Sequence, residues 1–194
     1  MPSDPNVVEQ DTRRWLERAV IGLNLCPFAK SVHVKGQVHY AVSGATEADG
    51  LRQALVTELK DLVALDPQVR DTTLLIAPDA FADFLDFNDF LAEADRALAE
   101  LDLEGTLQIA PFHPRFQFAG TAEDDITNFT NRAPYPTLHL IREASIDRAV
   151  QAFPEAEAIF EVNMATLEKL GHAGWDALAV GPTTQDGHCG KLKP

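Results

Sequence analysis

Between Pro111 and Pro136 the chain reads PFHPRFQFAGTAEDDITNFTNRAPYP, and side chains suited to chemistry gather there. His113 can move a proton near neutral pH, Arg115 and Arg132 present planar forks for a carboxylate or phosphate, and Asn128 and Asn131 each offer a donor and an acceptor. His139 follows a few residues on. The set suits a small anionic molecule, held by Arg115, Asn128, Asn131 and Arg132, with His113 as acid or base. The competing reading is structural: the arginines pair with Glu123, Asp124 and Asp125, and the asparagines satisfy turn backbone.

Cys26, in GLNLCPFA, is the second focus. If the preceding helix runs up to it, the negative helix end raises the thiol pKa. If Pro27 opens a new turn, Cys26 caps it and the thiolate is favoured; the proline favours this second arrangement. With His113 or His139 folded alongside, Cys26 becomes a candidate nucleophile that awaits an orienting group, which fits a hydrolase or acyl transferase. If Cys26 is instead a buried small hydrophobe beside Leu25 and Phe28, a lyase or isomerase using His113 is left. The alternative class is a non-catalytic module that binds a metal, haem or a partner protein. A metal would have to draw on Cys26, His113 and His139, with His33 or His39 in reserve, and no HExxH or closely spaced Cys/His pair supports it. No metal ligand is assigned, and the cofactor stays unknown. Walker A, GxGxxG, GxSxG and EF-hand patterns are absent.

The segment 111–136 is too long for an ordinary connection, and its composition says that it is ordered. It holds Phe112, Phe116, Phe118, Phe129 and Tyr135, a third of the chain's aromatics, which need something to pack against. Prolines at 111, 114, 134 and 136 stiffen its ends, and Tyr135–Pro136 is a candidate cis peptide.

The elements that must position these groups follow from periodicity. A first amphipathic helix starts at Ser3 or Asp4, carries Val8, Trp15, Ala19 and Leu23, and ends by Asn24. Alternation over Val32–Ser43, interrupted at Gly36, predicts a strand. Leu51, Leu55, Leu59 and Leu62 form one stripe of a second helix, Thr72–Ala77 is a buried strand, and a third helix covers Phe81–Leu101. Strands over Thr106–Phe112 and Thr137–Arg142 and two closing helices complete the order; the last helix opens at Pro154, Glu155 and Glu157. In the fourth strand His139 projects away from Leu138 and Leu140, to the side of Thr137 and Ile141. The expected fold is α/β or α+β: a single layered domain over residues 1–181, with a four-stranded mixed sheet covered by about five helices, and a loose tail over 182–194.

With 194 residues, 16 basic and 30 acidic, the net charge is −14, which argues against nucleic acid and anionic membranes as partners. Residues 79–104 hold nine acids against Arg96 alone, so much of the excess lies on one solvated helix face and does not exclude an anionic small molecule. The polar start lacks an apolar signal region, no apolar run approaches a membrane span, and Cys26 and Cys189 suggest no disulfide framework, so a cytoplasmic location is expected. The sequence leaves the oligomeric state open.

The strings LNLCPFA (23–29) and FHPRFQFAGT with NFTNRAPYPTLHLIRE (112–143) resemble a bacterial family known as domain of unknown function fourteen-fifteen. The likeness extends over about Asn6 to Gly181. It implies a soluble single-domain protein of proteobacterial type and brings no activity or residue role with it.

Overall fold

The computed structural model describes residues 2–152 and 158–183. Helix α1 spans Pro5–Trp15; Asp4 caps it by accepting from the Asn6 N–H, and Pro5 occupies its first turn. The chain continues as a π-helical turn over Leu16–Ile21, then bends into a short α2 over Ala29–Val34. Strand β1 covers only Val38–Val42. The alternation read as one strand from Val32 therefore mixes two elements: Val32 and Val34 lie on α2, and Gly36, at φ 68°, makes the turn between them.

Helix α3 (Ala48–Ala64) buries Leu51, Leu55, Leu59 and Leu62 completely, as the stripe predicts. Full burial of each such leucine contributes about 1.5–3 kcal/mol. Strand β2 (Thr72–Ile76) is buried along its whole length, and α4 (Phe84–Glu100) starts three residues later than expected because Asp83 caps it, accepting from Leu85 and Asp86. Strands β3 (Leu107–Phe112) and β4 (Thr137–Arg142) flank the long loop, which contains a 3-10 turn over Ile126–Asn131. Helices α5 (Glu143–Ala152) and α6 (Ile159–Ala177) close the described chain. At Gly171 (φ 64°, ψ 174°) α6 breaks and then resumes, running on to Ala177. The predicted opening of this helix at 154–157 lies outside the described residues.

The four strands form one mixed sheet in the order β1-β2-β4-β3; β1 and β2 run parallel, and β4 is antiparallel to both of its neighbours. This is the α/β class, with five helices of ten or more residues. Side-chain alternation gives the sheet two buried faces. Leu75, Leu138, Leu140 and Leu107 meet α3 and α4 in one core. Leu74 and Ile76 meet Val8 and Trp15 of α1 and Ala19 of the π-helical turn, together with Phe129, Leu167 and Trp175, in the other. Among the described residues there is no cis peptide, so Tyr135–Pro136 is trans. Of the expected tail, residues 184–194 lie outside the described residues. Thr183 is not loose: its backbone N–H and hydroxyl both bond to the buried Asp11 carboxylate. No described helix is long and apolar enough to cross a membrane.

Candidate functional site

On the sheet face that meets α1, strand register sets side chains from three strands in rows. His139 of β4 pairs with Leu74 of β2 and Ala110 of β3; in the next row Ile141 pairs with Thr72 and Gln108. Trp15, Leu16 and Val20 cover one side of these rows, the turn into α2 supplies Cys26, Phe28 and Ala29, and α5 supplies Ser145, Ile146 and Ala149. Ala29, Ala110 and Ala149 are too short to fill the space between sheet and helices, and a cavity of about 370 Å³ remains. That lies toward the lower end of ligand pockets, which run roughly 300–1,000 Å³.

The wall is fixed by contacts that begin in the long loop. The Trp15 indole N–H donates to the Arg132 carbonyl at 2.9 Å, and its ring meets Phe112 edge-on at 5.3 Å between centroids. The lining is mainly aliphatic and aromatic. Its polar groups are Asp71, Thr72, Gln108, His139, Ser145 and the Cys26 thiol, and among the described lining residues there is no lysine or arginine.

His139 Nε2 lies 2.7 Å from Thr72 Oγ1, and the same hydroxyl is 2.6 Å from the Leu140 carbonyl. A carbonyl can only accept, so the Thr72 proton goes to Leu140, and His139 Nε2 must be the protonated nitrogen that donates to Thr72. Burial pushes the imidazole pKa down to about 4, which keeps the ring neutral at pH 7.

The Cys26 sulfur receives the backbone N–H groups of Phe28 and Ala29, which favour the thiolate, yet burial outweighs them and pushes the thiol pKa up. Pro27 does open a turn, in which the Cys26 carbonyl accepts from the Ala29 amide, but the N-cap of α2 is Phe28; the expected electrostatic consequence is reversed, because a sulfur desolvated beside apolar side chains loses more than two amides return. Cys26 and His139 therefore share one cavity as a neutral thiol and a neutral imidazole.

The other expected site residues are engaged elsewhere. His113 follows Phe112 on the alternate side of the chain and packs between Phe84 and Phe87 of α4, with ring centroids 5.5 and 5.2 Å away. Its Nε2 donates to the Phe81 carbonyl and its Nδ1 accepts from the Arg115 amide, so neither nitrogen is left for a ligand. Burial lowers its pKa as well. Arg115 is exposed and pairs with Glu123 at 2.8 Å, as the structural alternative anticipates. Asn128 is fully buried; its Oδ1 accepts from the Phe118 amide and the Thr121 hydroxyl, and its Nδ2 donates to the Ala122 carbonyl. Asn131 donates to the Pro111 carbonyl. Arg132 is also fully buried: Nε and Nη2 donate to the carbonyls of Phe116 and Glu123, and the guanidinium lies 4.3 Å over the Phe129 ring. These groups tie the loop to itself.

Metal binding finds no cluster of three His, Cys, Asp or Glu side chains among the described residues. His113 lies on the opposite sheet face from Cys26 and His139, while His33 and His39 face Glu17 and Glu58. What the sequence reading missed is the cavity wall itself: Trp15, Thr72, Gln108 and α5. Register supplies the missing signal, since Thr72 and His139 meet only because β2 and β4 pair with Leu74 opposite His139. Above this row Asp71 accepts from the Ser145 hydroxyl at 2.7 Å, and Arg148 lies 3.7 Å from the same carboxylate, fastening α5 over the cavity.

Comparison with curated proteins and with solved structures yields no match. A family model described as "Protein of unknown function (DUF1415)" matches residues 7–177, which include every described element that lines the cavity. The chain belongs to the DUF1415 family.

Proposed function

We propose that this chain binds a small, largely apolar molecule in the cavity between the sheet, Trp15, Phe28 and α5. The observation that carries this reading is the chemistry of the lining: aromatic and aliphatic walls around a few inward polar groups, the usual makeup of a small-molecule site. An anionic metabolite is the weaker candidate, because Arg115 and Arg132 are committed within the loop and no cation lines the cavity. Cys26 and His139 are the groups placed to act on such a ligand. Thiol chemistry of the hydrolase or acyl-transferase kind would require a bound molecule to draw the proton from a thiol that burial keeps protonated.

Binding of benzothiophene, an apolar bicyclic probe, tests the reading by isothermal titration at pH 7. Wild-type protein binds it, and Ala110→Phe or Ala149→Phe, each of which fills the cavity from a different wall, weakens binding at least tenfold. Undiminished binding in both folded variants would place the probe elsewhere and remove the proposal.

A further inference from the structure

We infer that the ligand is a neutral aromatic molecule carrying an N–H or O–H donor, of the indole or phenol kind, and that His139 Nδ1 is the acceptor that selects it. The inference rests on the cavity reading above and adds the polarity of the ligand's one directed contact.

The argument begins with proton placement. Thr72 has one hydroxyl proton, and the Leu140 carbonyl takes it. The contact between Thr72 Oγ1 and His139 Nε2 then needs its proton from the imidazole. A neutral imidazole carries a single N–H, so Nδ1 is left with its lone pair and no proton. Among the described residues nothing donates to Nδ1, and it is not one of the enclosed side-chain atoms without a partner; on a residue that lines the cavity it therefore faces the open volume. Thr72 cannot turn without breaking the Leu140 bond, and the His139 ring cannot turn without losing its contact with Thr72. A ligand that offers only acceptors would meet lone pair with lone pair. One that offers an N–H or O–H completes the chain from ligand to His139 to Thr72 to Leu140. The flat walls contributed by Trp15, Phe28 and Phe112 favour an aromatic body for the molecule that carries this donor.

Burial supports the same assignment, because it keeps the ring from taking a second proton until pH falls to about 4. Asp71, Gln108 and Ser145 lie in the same lining. Asp71 is already occupied by Ser145, whose proton it accepts.

Indole and benzothiophene, which share a bicyclic shape and differ in the N–H, form the test. Isothermal titration of the full chain at pH 7 gives indole about a tenfold advantage, the size expected for one hydrogen bond to an otherwise unpaired acceptor that faces the cavity. His139→Leu loses the preference and binds the two probes with equal affinity, whatever that affinity is. Long-range proton–nitrogen NMR of the wild-type imidazole, which needs no variant to fold, shows the proton on Nε2 and none on Nδ1. Equal affinities in wild type, a preference that persists in His139→Leu, or a proton on Nδ1 would each overturn the assignment while benzothiophene binding keeps the cavity reading in place. Binding of neither probe to the wild-type cavity would overturn both.

Discussion

Acidification offers a direct probe of His139 because its folded and unfolded titrations are well separated. The imidazole pKa falls from an ordinary 6.5 to about 4 on folding, through burial. Between those values the unfolded chain binds a proton that the folded chain refuses, so stability falls as pH falls and levels off below about 4. Linkage gives a loss of about 2 kcal/mol between pH 7 and pH 5, and about 3 kcal/mol by pH 4. Other groups titrate over the same range, including His113, whose pKa is also lowered, so the informative quantity is the difference between wild type and His139→Leu. Urea unfolding followed by circular dichroism at pH 7, 6 and 5 gives that difference; the scan ends there because the sequence pI is about 4.7. Wild type should lose about 2 kcal/mol more than the variant from pH 7 to pH 5, whatever their relative stability at pH 7. Parallel pH profiles would refute the claim that His139 is buried neutral, and the proton placement built on it would fail as well.

Arg132→Met should lower unfolding stability by about 2 kcal/mol in urea titrations, since it removes the buried guanidinium that donates to the part-buried Phe116 and Glu123 carbonyls, while benzothiophene affinity in the folded protein changes less than twofold. A selective loss of ligand binding would return Arg132 to the binding site. In a Cys189→Ser background, Cys26 should react with iodoacetamide at pH 7 more slowly than free glutathione, and saturating indole should slow it further; labelling at or above the glutathione rate would contradict its raised pKa. Asp71→Ala removes the fastening to Ser145 and Arg148. It should cost less than about 1 kcal/mol overall yet speed hydrogen exchange across α5, which has no buried residue; unchanged exchange would show that α5 is held by other contacts.

The fold was legible in the sequence wherever one period persisted. Leu51, Leu55, Leu59 and Leu62 mark α3 without ambiguity, and alternation in β4 places His139 opposite Leu138 and Leu140, where it stands. Val32 and Val34 misled because a one-and-a-half-turn helix followed by a glycine turn shows the same alternation as a strand. The site was legible in part. Cys26 and His139 stand out by residue type and do share the cavity. The loop residues also stand out by type, but buried loop backbone needs donors and acceptors as much as any ligand does, and Asn128 and Arg132 supply them. Nothing local separates those two uses. The cavity depends on the pairing of β2 with β4 and on alanines from three separate elements, which no local pattern records.

The most direct test of the central claim is a crystal structure of the full chain grown with saturating indole. The account predicts indole density in the cavity that Trp15 and Phe112 line, with its nitrogen about 2.8–3.2 Å from His139 Nδ1, the ordinary range for such a hydrogen bond. Indole bound outside the cavity, or bound inside it with its nitrogen turned away from His139, would contradict it.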